Sequence, residues 1–290
     1  MVLSASALFA AGGIAVKALL RQGYSPVVLA QLRVDFAFLL LALGLLAFRP
    51  SLLRIHRRDL PGTLTFGVLG LAGVQFVYYL ALARINIALA LTLEFLGVVV
   101  ITGWERLWRG QPVSPLIWIA LGLSLGGSFF AAGAYRADLL RVNLPGIGFA
   151  LLAALLLAFY FLRASTLAVR ADVRTTLVYG FGAGVVAWGL FDAAVRPPVP
   201  HDVRVMVVMA AVGAATLLAF GLSVAALRSI RPSRAGIVAT SEPVFAGIAA
   251  LVLLDERFEA LQVLGGTLVL LGIALVQLAA DEVAPEPGLD

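Results

Sequence analysis

The sequence contains no cysteine and a single lysine, Lys17, and its two histidines, His56 and His201, both fall in polar connections. Disulfides, thiolate nucleophiles and sulfur-ligated metals are thereby excluded. Charge is scarce as well: 13% of the 290 residues are charged, 62% are hydrophobic, and mean hydropathy is +1.04. A water-soluble domain is about 45–50% apolar and about 25% charged, so one globular core could not hide this much apolar surface, and the solvent is lipid. No His-Glu-x-x-His string occurs, and Asp35 and Asp192 share no motif. The glycines also lack the strand-then-helix setting of a phosphate loop. Neither an enzyme nor a cofactor or metal is expected. The 21 basic residues exceed the 16 acidic ones by five, but they are scattered between apolar runs. A nucleic-acid partner, which needs a clustered basic face, is not expected.

What is present is a series of ten apolar runs, at about 2–20, 27–48, 62–83, 86–104, 114–134, 145–163, 175–195, 203–227, 233–254 and 259–280. At about 20 residues per span, ten helices leave no room for a soluble domain. Lipid offers the backbone no hydrogen bonds, so each run is predicted to be a helix. The alternative, a closed barrel, needs alternating apolar and polar residues, which Leu151–Leu157 lacks. The first run has no basic stretch before it and reads as an uncleaved first helix. With the N-terminus inside, the cytoplasmic connections hold twelve arginines and the outer ones seven. The positive-inside rule then puts both termini in the cytoplasm.

An internal repeat organises the runs. Arg84–Glu94 lies over Pro232–Glu242 at a shift of 148, and Lys17 over Arg163 at a shift of 146. The expected fold is therefore an all-α membrane protein of ten transmembrane helices, arranged as two five-helix repeats over 1–140 and 141–290. Five is odd, so the second repeat enters the membrane inverted and its loops should exchange charge bias. The loop after the second run has four arginines against two after the seventh; the loop after the third has one against three after the eighth. Inverted repeats of this kind are a recurring plan of secondary transporters.

Some residues do not belong in lipid. Glu94 and Glu242 each sit about nine residues from either end of a run, hence near the bilayer centre at 1.5 Å per residue. An ionised carboxylate there costs several kcal/mol, so both should face the bundle interior or a water-filled cavity. There they can exchange a proton, bind a substrate amine or hold helices together. Pro243 frees a carbonyl one turn earlier and marks a helix break; Gly97 is the matching weak point in the first half. Lys17 and Arg163 could neutralise a carboxylate or bind one, or could snorkel to the interface. Arg33 and Asp35 cannot share a helix face, and Arg33 is the one expected in the cavity. Gln75, Tyr78, Tyr79, Tyr160, Ser223 and Thr240 offer uncharged hydrogen bonds or aromatic walls, or serve as glue between helices. Trp104, Trp108 and Trp118 read as interfacial anchors. Gly122/Gly126, Gly180/Gly184 and Gly67, Gly70, Gly73 carry helix-contact spacings.

The string Ser241-Glu242-Pro243-Val244-Phe245, with Glu256 fourteen residues after its Glu, and Leu93-Glu94-Phe95 in the first half resemble EamA-type members of the drug/metabolite transporter superfamily. The segment from Ala90 to Gly97 and Gly12-Gly13 followed by Lys17 look most like its threonine/homoserine exporter group. The resemblance implies a proton- or exchange-driven exporter of amino acids or related small metabolites in the bacterial inner membrane. It matches Glu94 and Glu242 to the two paired motifs, Lys17 to a basic residue ending the first helix, and Arg33 to the Arg of the second. Val98 stands where that group commonly has proline, and the segment before Ser223 lacks one. Both departures bear on cavity shape and hence on substrate. A carrier of nucleosides, sugars or drugs on the same fold and a non-transporting structural role remain the alternatives.

Overall fold

The computed structural model describes residues 1–85, 87–135, 143–195, 202–254 and 259–281. Arg136, Arg141, Arg196, His201, Glu256, Arg257 and the side chain of Asp192 lie outside the described residues. Several helices start at a proline or a capping side chain. Pro26 opens α2 (Pro26–Phe48), which follows α1 (Val2–Arg21); a proline at the first helical position lacks only an N–H that would be unpaired anyway. A 3₁₀ turn, Pro50–Leu53, leads on to α3 (Leu60–Thr65). That helix continues through a π-helical segment (Phe66–Gly73) into α4 (Val74–Leu82). There follow α5 (Ile87–Phe95), α6 (Gly97–Leu107) and α7 (Pro115–Ala131), whose cap Ser114 accepts from the Leu116 amide. Asn143 likewise caps α8 (Leu144–Ala168). After α9 (Val173–Val195), Asp202 caps α10 (Val203–Ala226). The last helices are α11 (Pro232–Ala239), α12 (Glu242–Leu254) and α13 (Ala260–Asp281).

The described residues are helical, with no strand. Six helices are long and apolar enough to cross a membrane: α1, α2, the continuous Leu60–Leu82, α8, α10 and Ala260–Ala279 of α13; α7 is a shorter apolar helix. The fourth and ninth apolar runs are not single helices. One is interrupted at Leu96, between α5 and α6, and the other at Thr240–Ser241, between α11 and α12.

The helices close into a ring. In order around it, α1 packs on α10, α10 on α2, α2 on α9, and α9 on the π segment. The ring continues from α4 to α8, from α8 to α5 and α6, from α6 to α11, and back from α12 to α1. The pair α7 and α13 lies beside it, against α5, α11 and α12. Glycine sets the closest approaches: a Cβ on Gly67 would stand 2.1 Å from the Gly180 carbonyl oxygen, and one on Gly97 would stand 2.3 Å from that of Ala154. One sequence reading is corrected here. Gly122 and Gly126 face open space, and the α7–α13 contact is made by Gly127, whose Cβ would meet the Gly265 carbonyl at 2.7 Å. The 3.6-residue turn carries neighbouring positions to different faces, so spacing alone did not select the right glycine.

Candidate functional site

Two chambers lie inside the ring, one of about 100 Å³ and one of about 260 Å³. They share Phe9, Arg33, Tyr78, Leu91 and Glu242 as a partition. Along α1 the smaller chamber runs from Val2 to Phe9 and the larger from Phe9 to Leu20. At 1.5 Å per residue that course is roughly 27 Å, close to the roughly 30 Å of a bilayer's hydrocarbon.

Polar chemistry collects at the partition. Arg33 is buried; its Nε donates to Thr216 Oγ1 at 2.6 Å and its Nη1 to Gln75 Oε1 at 3.4 Å. Its guanidinium also stands 5.3 Å from the Phe9 ring centroid, a cation–π distance. Glu94, 8% exposed, lies on the wall of the smaller chamber with Gln75, Tyr160 and Ser223, while Glu242 borders both chambers. The two carboxyl groups and the guanidinium all line the smaller chamber. The Tyr160 hydroxyl is buried without a hydrogen bond of normal geometry.

Both acidic residues stand at the helix interruptions. Glu94 is the penultimate residue of α5 and Glu242 the first of α12, where its carboxylate complements the positive end of the helix dipole. Pro243 cannot donate to the Ala239 carbonyl, and Ser6 Oγ of α1 donates to that oxygen instead, at 3.5 Å. Thr240 Oγ1 and Ser241 Oγ turn back to the carbonyls of Ile237 and Val238 at 2.6 and 2.8 Å. These bonds satisfy the acceptors that a helix end leaves open.

The chambers thus bring together Glu94, Glu242, Arg33, Gln75, Tyr78, Tyr160 and Ser223, with Lys17, Tyr79 and Pro243 on the larger one. Three of the residues expected at the site or its helix breaks border neither chamber. Arg163 donates from Nε to the Gly62 carbonyl at 3.4 Å, Thr240 is buried with its hydroxyl spent on its own helix, and Gly97 is pressed against α8. Residues that sequence reasoning passed over include Ser6, Phe9, Thr216 and Phe220. Glu105 is another: it is fully buried, and its carboxylate accepts from the Ser233 amide at 3.4 Å and from the Ser233 hydroxyl. Glu105 lies just past the fourth apolar run, so the pattern reads it as part of a polar connection. Among the described residues no three His, Asp or Glu side chains group closely enough to hold a metal ion.

The family model of EamA-like transporters matches residues 1–133 and 144–278. The uncharacterized inner membrane transporter YicL of Salmonella typhimurium is 26% identical over 283 residues, covering 96% of this chain and 94% of that protein. The threonine/homoserine exporter RhtA is 25% identical in Salmonella typhimurium and 24% in Escherichia coli, over 77% of this chain and 75% of each relative. A protein of known crystal structure shares the fold at a TM-score of 0.82 and 19% identity, over 97% of this chain and 96% of its own. Since the family match covers most of the chain, the protein belongs to the EamA-like transporter family and is a membrane transporter of small molecules.

Proposed function

We propose that this transporter is a secondary carrier that exports amino acids or closely related small zwitterions in exchange for protons. The substrate ammonium rests against Glu94 and Glu242 and its carboxylate against Arg33. Gln75, Tyr78, Tyr160 and Ser223 supply hydrogen bonds, and Lys17 and Tyr79 line the larger chamber. The observation that carries the reading is the convergence of two carboxyl groups and one buried guanidinium on the smaller of two stacked chambers, with Arg33 and Glu242 also forming its partition with the larger. With all three ionised, the wall of the smaller chamber holds a net negative charge that costs several kcal/mol to leave unbalanced in a membrane. An ammonium group or a proton balances it. Arrival of the amine therefore releases a proton from a carboxyl group, and its departure takes one back.

Size separates the substrate classes. Volumes of about 100 and 260 Å³ fall below the roughly 300–1,000 Å³ of sites that enclose drug-sized ligands, which favours amino acids over drugs. RhtA, a threonine/homoserine exporter by name, supports the same class. The aromatic faces of Phe9, Tyr160 and Phe220 on the smaller chamber favour, as a second reading, a ligand with a planar ring such as a nucleoside.

The reading takes the chain as ten spans in two inverted halves, 1–140 and 141–290. The ring contacts support it, because exchanging the halves maps them onto one another: α1–α10 becomes α8–α4, α2–α10 becomes α9 with the π segment, α1–α11 becomes α8–α5, α1–α12 becomes α8–α6, and α2–α9 and α7–α13 map onto themselves. The separate family matches at 1–133 and 144–278 support the same division. The arginine bias favours cytoplasmic termini, with the larger chamber facing outward, and YicL, an inner membrane transporter by name, supports the bacterial inner membrane. In proteoliposomes, a proton gradient is expected to drive labelled threonine against its own gradient. Glu94→Gln and Glu242→Gln should lose that accumulation while staying folded in detergent. Undiminished accumulation in both variants contradicts the proposal.

A further inference from the structure

We propose that the outer groove between α2, the π segment and α9 binds an anionic phospholipid. The groove has a volume of about 810 Å³ and an almost wholly apolar lining. It runs along α9 from Val178 to Leu190, roughly 18 Å at 1.5 Å per residue, against the roughly 15 Å hydrocarbon depth of one leaflet. A second apolar groove, of about 290 Å³, meets it at Val68 and Ala187. Together they offer separate courses for two acyl chains.

The charge at one end specifies the headgroup. Leu46 near the end of α2 and Leu53 of the 3₁₀ turn close that end. The turn is pinned there, since the Tyr179 hydroxyl donates to the Leu53 carbonyl and the Thr175 hydroxyl to the Leu52 carbonyl, each at 2.7 Å. Arg49 and Arg54 bracket the turn, Arg57 and Arg58 follow, and all four are exposed and without an ion pair among the described residues. The neighbouring acids do not cancel them: Asp172 is bound to Arg174, and Asp59 is a single charge. Apolar grooves ending in clustered arginine beside membrane helices recognise anionic headgroups by charge and acyl chains by burial.

The test uses the full chain in neutral detergent, with thermal unfolding and native mass spectrometry as readouts. Phosphatidylglycerol should raise the unfolding midpoint and remain bound, whereas phosphatidylcholine should do neither to a comparable extent. The double variant Arg49→Gln/Arg54→Gln should retain phosphatidylglycerol roughly thirtyfold less well, the scale set by two basic side chains beside an anionic lipid. Val186→Trp, at a position 64% exposed, should fill the groove and remove the lipid-dependent shift. Equal effects of the two lipids, or an equal shift from inorganic phosphate alone, would overturn the proposal. So would efficient disulfide cross-linking of two copies through Val186→Cys, since a second copy would then cover the groove.

Discussion

Arg33 spends one donor on Thr216 and one on Gln75, which fixes the plane of its guanidinium and leaves the other donors of the fork for a ligand carboxylate. Thr216 is in turn held by its own bond to the Val212 carbonyl at 2.7 Å. Thr216→Val keeps the shape and removes the acceptor, and is expected to destabilise the protein by about 1–3 kcal/mol, read as a lower unfolding midpoint in detergent; an unchanged midpoint would show that Arg33 needs no such anchor. Arg33, Glu94 and Glu242 were legible in the sequence because a charge inside an apolar run has few explanations. Thr216 was not, because a lone hydroxyl in a membrane helix is most often glue, and its value comes from a partner 183 positions away. Arg163 and Thr240 show the converse: their types suited the site, but backbone carbonyls claimed both side chains.

At the scale of elements, the interrupted helices decide where the carboxyl groups stand. Gly97 opens α6 and lets it touch the α8 backbone. Gly97→Ala should therefore cost about 1–3 kcal/mol as overpacking, despite the better helix propensity of alanine. Gly126→Ala meets nothing within 4 Å and should be neutral or stabilising by about 0.5–1 kcal/mol. Unfolding midpoints of the two variants compare them directly. The cap of α9 supplies a pH-dependent test outside the membrane. Hydrogen bonds from the Arg174 side chain hold the Asp172 carboxyl below its ordinary value, and its Oδ1 also accepts from the Arg174 amide at 2.8 Å. The stabilisation is complete above the unfolded carboxylate value, about pH 4, and is lost as pH falls through the lower folded value. Asp172→Ala should cost about 0.5–2 kcal/mol as a lost cap, the exposed ion pair adding less than about 1 kcal/mol, with the difference from wild type narrowing in acid. Pro26, Ser114 and Asn143 set helix starts through capping, which is local chemistry. The π segment was not legible in the sequence, because Gly67, Gly70 and Gly73 acquire their meaning from Gly180 and Tyr160 on other helices.

For the whole molecule, the proposed transport route rests on the ring of helices around two stacked chambers, which together reach across nearly the thickness of the hydrocarbon. The apolar runs and the paired acidic motifs were visible in the sequence; the partition between the chambers was not, because Phe9, Arg33, Tyr78, Leu91 and Glu242 come from separate parts of the chain. The absence of cysteine makes the pathway directly measurable. Single cysteines placed at Ala5 on the smaller chamber, Ala246 on the larger and Leu43 on the outer surface can be labelled with a membrane-impermeant maleimide in proteoliposomes. Ala5→Cys and Ala246→Cys should react from opposite sides of the membrane and be protected by threonine, while Leu43→Cys stays unlabelled. Chamber cysteines that never react, or that react equally with and without substrate, would contradict a central pathway.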